Sequence, residues 1–158
     1  MKLVNNLCVL LALLFVTTTA QAQLSVGGGL GYGLDIEELA IQARGVYGIN
    51  DQFRGEADFN YYLEGTEGFS YWEFNLNANY MITNTGGFDI YALAGLNFFH
   101  FNIDLGPFGN SSDTDTGLNI GGGAEMGLTD SVKLFGEAKF ALGGAEQLFL
   151  AVGALFNL

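Results

Sequence analysis

The chain has 158 residues, room for one domain, and carries 17 acidic residues against five Lys and Arg, a formal net charge of −12. A chain this acidic, with no basic cluster, is unsuited to nucleic acid. Its 14 Phe, 7 Tyr and one Trp exclude the disorder that acidity alone suggests, because disordered chains are poor in aromatics.

Lys2, the apolar run 7–16 and the segment Thr17-Thr18-Thr19-Ala20-Gln21-Ala22 read as a secretory signal peptide over residues 1–22, cleaved after Ala22. The run is far shorter than the ~20 residues of a spanning helix. Cys8, the only cysteine, lies inside it. The mature segment, residues 23–158, therefore has no disulfide framework and is expected to form one β-barrel domain.

Eight segments of alternating character follow, each about ten residues long. In 24–34, Leu24, Val26, Leu30, Tyr32 and Leu34 oppose Ser25 and a row of glycines. Residues 35–37 turn the chain. Segments 39–49 and 53–63 form a hairpin around Asn50-Asp51-Gln52, with Leu39, Ile41, Ala43, Tyr47, Phe53, Ala57, Phe59 and Tyr61 on one face. Gln42, Arg44, Arg54, Glu56, Asp58 and Asn60 lie on the other, because side chains alternate along a strand. After a loop at 64–68, segment 69–82 sets Trp72, Phe74, Leu76, Ala78 and Tyr80 against Glu73, Asn75, Asn77 and Asn79. A turn at 83–87 leads to 88–101, where Phe88, Ile90, Ala92, Ala94, Leu96 and Phe98 oppose Asp89, Tyr91, Gly95 and Asn97. Residues 102–116, which hold the one proline, are expected to be the longest loop. Segments 117–128, 132–142 and 147–158 complete the set, with Glu125, Lys133, Glu137 and Lys139 on their polar faces.

The expected fold is therefore all-β, an eight-stranded antiparallel up-and-down barrel. Its apolar face points either inward, as in a soluble lipocalin-like ligand-binding barrel, or outward to lipid. Three features favour lipid and a transmembrane β-barrel. Aromatic residues gather near the strand ends of the apolar face, while small and aliphatic ones fill its middle, as two bilayer interfaces require. All four cations of the mature segment, Arg44, Arg54, Lys133 and Lys139, fall on the polar strand face with the carboxylates. Facing lipid, each Arg or Lys would cost about 2–4 kcal/mol; in a narrow lumen they can pair, Arg44 with Glu56 or Asp58. Finally, the glycines of the polar face leave room for lumen side chains or ease sheet curvature.

The signal peptide, the eight alternating strands and the ending Leu148-Phe149-Leu150-Ala151-Val152-Gly153-Ala154-Leu155-Phe156-Asn157-Leu158 resemble the small OmpA/OmpX-type outer-membrane barrels. That resemblance implies a Gram-negative outer membrane, periplasmic termini, and contacts with membrane lipid, lipopolysaccharide and the barrel-assembly machinery. Members usually end on an aromatic residue, whereas this chain ends on Leu158 with Phe156 two positions earlier.

A lumen ion-pair network of Arg44, Arg54, Glu56, Asp58, Glu73, Glu125, Lys133, Glu137 and Lys139 is expected to fill the interior, since eight strands leave only enough width for side chains. No catalytic residue, cofactor or metal is expected, and the barrel is expected to be a monomer. His100, the only histidine, has no serine nucleophile at a triad spacing, which weakens the alternative of a lipid A-modifying enzyme. Asp113 and Asp115 resemble the start of a calcium loop without its later ligands. Acidic outer loops could meet lipopolysaccharide phosphates through divalent cations. Leu105, Pro107 and Phe108 are the candidate interaction loop. The expected role is structural or surface interaction.

Overall fold

The computed structural model describes residues 24–63, 68–85, 87–104, 106 and 109–158. Eight strands follow one another: β1 (Leu24–Gly33), β2 (Glu38–Gly48), β3 (Phe53–Tyr62), β4 (Phe69–Asn84), β5 (Phe88–Asp104), β6 (Asn110–Thr129), β7 (Val132–Leu142) and β8 (Gln147–Asn157). Each pairs antiparallel with its sequence neighbour, and β1 closes on β8. Closure leaves the barrel wall with no unpaired edge, the condition for a sheet to exist in lipid.

The faces separate as the alternation demands. Leu30, Leu118, Ile120 and Val152 point outward, the last 63% exposed. Asn60, Asn75 and Asn79 point inward at 0%, with Asp58 at 1% and Lys139 at 2%. The polar side is therefore the interior. Phe53 packs edge-on against Tyr80 at one end of the outer surface, and Phe59, Trp72 and His100 stack at the other.

The first and last described residues lie together, where the Leu158 N–H donates to the Leu24 carbonyl at 2.9 Å. Turns at this end are tight. The Asn50 side-chain oxygen accepts the Gln52 and Phe53 N–H groups, each at 2.9 Å, the usual way Asn seeds a turn. Irregular register at Met81/Thr83 and Gly127/Thr129 also sits at this end. At the far end Glu37, Gly143 and Gly144 adopt positive φ in the short connections.

The expected loop 102–116 is corrected by the structure. β5 and β6 continue pairing from Phe98↔Thr116 to Asp104↔Asn110, so the segment is mostly a hairpin. Ser, Asp and Thr read as loop by composition. Strand preference depends on what a residue faces, however, and Phe99, Phe101 and Ile103 across the ladder hold this segment extended. β4, β5 and β6 have 16, 17 and 20 residues, against 10 or 11 in the other strands. One side of the barrel thus rises above its rim.

Glycine serves both expected purposes. A Cβ on Gly31 would overlap the Phe149 ring, and one on Gly123 would overlap the Tyr91 phenol. On Gly27, Gly29 and Gly121 it would instead strike a carbonyl oxygen of the adjacent strand, where the wall bends tightly.

Candidate functional site

The lumen is built in layers from the terminal end upward. Lowest is a neutral ring. Both terminal nitrogens of Arg54 donate to Glu125, at 2.8 and 2.7 Å, and Lys133 bridges Asp89 (3.2 Å) and Glu125 (3.4 Å). Above it Arg44 spans the barrel from Glu137 to Glu56, the latter at 3.5 Å, with its guanidinium carbon 4.2 Å from the centre of the Phe135 ring. The Tyr91 hydroxyl donates to the other Glu137 oxygen at 2.7 Å. Next, the Lys139 ammonium donates to both Asp58 oxygens, at 2.8 and 2.9 Å, and stands 3.8 Å from Glu73. Ladder register sets Arg44 opposite Asp58, yet the long guanidinium reaches Glu56 and Glu137 and leaves Asp58 to lysine.

Six lumen carboxylates thus meet four cations. The lower ring balances, so the excess lies in the two layers above. Glu56, Asp58 and Glu137 bring carboxylate oxygens within 4.8 Å of one another there. Asparagine amides supply the missing positive ends. Asn77 and Asn79 donate to Glu56 at 3.0 and 2.8 Å, Asn75 to Asp58 at 2.9 Å, and Asn60 to Glu73 at 2.7 Å. Asn97 and Asn119 each donate to the Asn75 oxygen at 2.8 Å. A buried carboxylate needs several donors, and a charge-assisted bond is about twice as strong as a neutral one. The arrangement matches how sheets are built, since Asn75, Asn77 and Asn79 are alternate residues of one strand.

Aromatic rings close the far end. Tyr62 packs on Phe99 and Phe149, each 6.0 Å between centroids, and Tyr71 lies over Phe99 at 5.9 Å. Gln147 donates to the Tyr62 hydroxyl at 2.5 Å. The gap bounded by Glu73, Asn97, Asn119, Lys139 and Phe149 does not admit a water-sized sphere.

All nine residues expected in the network line this interior. Asp89, Tyr62, Tyr91 and the asparagines join them. Their signal was a repeated Asn on one strand face, which reads as generic polarity until the opposite wall is known. Asp113 and Asp115 stand on a strand and not in a cation-wrapping loop. Leu105, Pro107 and Phe108 lie outside the described residues. His100 faces outward. Its Nδ1 is 2.8 Å from the Thr114 hydroxyl, and its ring stacks on Trp72 at 4.8 Å.

The sequence profile of the outer membrane protein beta-barrel domain family matches residues 8–144. The chain belongs to that family. Outer-membrane barrels of known structure superpose on it over 96–100% of their length. The N-terminal barrel of Pseudomonas aeruginosa OprF matches with TM-score 0.71 and 18% identity, covering 87% of this chain and 100% of that one. Neisserial surface protein A gives 0.64 and 18%, over 87% and 96%. Ail, the attachment invasion locus protein of Yersinia pestis, gives 0.63 and 12%, over 87% and 97%. No curated protein sequence matches the chain. Family membership places this barrel in the outer membrane, its apolar face against lipid.

Proposed function

We propose that this outer-membrane barrel is non-conducting and non-enzymatic, and that it presents the raised β4–β5–β6 sheet outside the cell as a surface-interaction element. The short turns and both termini then face the periplasm. The observation that carries the reading is the edge of β6. Its pairing with β7 begins only at Leu118↔Leu142, and the Gly143–Gly144 turn packs against residues 115–117, so the edge is open over 110–114, which pair with β5 alone. Such an edge can accept an extended strand from another protein, with main-chain hydrogen bonds giving affinity.

The lumen supports the non-conducting part, since charged layers and an aromatic cap fill its cross-section. Planar-bilayer recordings are expected to show no steady openings; large, stable conductance would remove the reading. For the non-enzymatic part, His100 meets the Thr114 hydroxyl, but among the described residues no carboxylate bonds its ring as the third member of a nucleophile–base arrangement.

Ail is named for attachment and invasion, and one of its structures holds the heparin analogue sucrose octasulfate. A sulfated polyanion does not suit this chain. Among the described residues, every Lys and Arg faces the lumen. The test is attachment by cells displaying the barrel. Ser111→Lys and Asp113→Lys are expected to block the edge, as lysines do on natural edge strands. They are expected to abolish attachment while the heat-modifiable band persists. Attachment unchanged by them, or competed by heparin, would overturn the edge reading.

A further inference from the structure

The open edge at 110–114 has a chemistry that selects what docks on it. Asn110, Ser112 and Thr114 share the outward face of the sheet, whereas Ser111 and Asp113 share the face that lower down lines the lumen. Asp113 is exposed and ends the cross-strand row Tyr71–Phe101–Asp113. Its carboxylate accepts the Thr114 N–H at 2.8 Å, which holds it at the edge.

Natural edges are commonly blunted by lysine, proline or a bulge. Residues 110–114 contain neither lysine nor proline, and their register with β5 is unbroken. The charge of Asp113 is the guard that remains, admitting some strands and rejecting others. A second copy of this edge is among those rejected. At this end of the barrel Asp35, Glu37, Asp104, Asp113, Asp115 and Glu146 all carry the same sign, and among the described residues every Lys and Arg faces the lumen. The field above the rim draws in positive charge, which a partner must supply.

We infer that this edge takes an extended segment of another protein in which Lys or Arg alternates with small hydroxylated residues. The inference rests on the edge reading proposed above and names the chemistry of its partner. Docked antiparallel to β6, such a segment sets a basic side chain directly opposite Asp113, where opposite charges attract and like charges repel. Its alternate residues continue the outward row of Asn110, Ser112 and Thr114, where Thr or Ser exchanges hydrogen bonds across the ladder. Main-chain bonds give affinity and Asp113 gives selection. The docked stretch is short, because the Gly143–Gly144 turn covers residues 115–117.

Trp72 is the only tryptophan of the chain. It stacks on His100, which meets the Thr114 hydroxyl, so its emission reports on this edge. The full mature chain is refolded into micelles of a neutral detergent and titrated with short peptides. One alternating Lys and Thr is expected to change the emission saturably. One alternating Glu and Thr is expected to bind roughly tenfold more weakly. Asp113→Asn is expected to remove most of that difference; Asp130→Asn, in a turn at the opposite end, is expected to leave it. Methylating the backbone nitrogen of every second residue blocks one edge of a strand and spares the other. Of the two isomers, methylated at Lys or at Thr, one is expected to bind like the parent peptide and the other not to bind.

Equal binding of both methyl isomers would reveal surface adsorption and overturn the inference. Equal binding of the Lys and Glu peptides would overturn it too, leaving an edge without charge preference. A peptide copying Asn110–Thr114 is expected not to bind, and its binding would assign the edge to a second copy of this chain. If every peptide is silent and attachment survives Ser111→Lys with Asp113→Lys, the edge reading itself fails. Silent peptides with attachment lost in that variant refute only this partner.

Discussion

Lys139 holds both Asp58 oxygens inside a wall that excludes water, and Glu73 stands behind them. Removing one partner of a buried pair leaves an uncompensated charge, whereas removing both can be nearly neutral. Lys139→Met is therefore expected to destabilise the barrel by about 3–5 kcal/mol in urea unfolding from lipid vesicles. Adding Asp58→Asn is expected to recover a large part of that loss. Arg44 makes a different demand. It bridges Glu137 and Glu56 while its flat face covers Phe135, and a lysine cannot do all three. Arg44→Lys is expected to destabilise by about 1–3 kcal/mol, the scale of a lost charged hydrogen bond. Unfolding curves superposing on the parent's would show that Asn77 and Asn79 at Glu56 and the Tyr91 hydroxyl at Glu137 hold these carboxylates without a guanidinium.

Glycines on the two faces of the wall have opposite sensitivities. Gly123 lies under the Tyr91 phenol, which itself contacts Arg44 and Glu137, so Gly123→Val must displace that ring. Gly45 is on the outer face, where an added Cβ meets nothing within 4 Å. Gly45→Ala is expected to be neutral or to stabilise by up to about 1 kcal/mol, by narrowing the freedom of the unfolded chain. Gly123→Val is expected to cost several times that, and the same unfolding assay ranks the two. Alternation made all eight strands legible, because a side chain on the wrong side meets either lipid or a packed lumen. Strand ends were less legible. Residues 110–116 look like loop because Ser, Asp and Thr declare no preference. Their partner residues Phe99, Phe101 and Ile103 decide the matter through contacts across the ladder. The asparagines were visible as a polar face. Their function as donors to Glu56, Asp58 and Glu73 depends on which walls meet across the lumen, and that follows from closure.

For the whole molecule, the apolar exterior means that water alone cannot be its solvent. Large hydrophobics such as Leu30, Ile41, Leu118, Ile120 and Val152 form a continuous outer band, well beyond the few hundred Å² of apolar patch a soluble monomer tolerates. Refolding is expected to require detergent or lipid and to give a band whose migration changes on boiling. A monodisperse folded product in plain buffer would contradict the orientation of every strand.

The seam between β1 and β8 is an ordinary antiparallel ladder, as unbroken in register as the β1–β2 ladder beside it. Its two ends meet through Leu158 and Leu24. The cylinder therefore has no privileged starting point. A short linker joining these ends, with new ends cut in the 129–131 turn on the same side, should yield a circular permutant of the same cylinder. Heat-modifiability of that recut chain would show whether strand order in synthesis matters to closure or only the circular order around the wall.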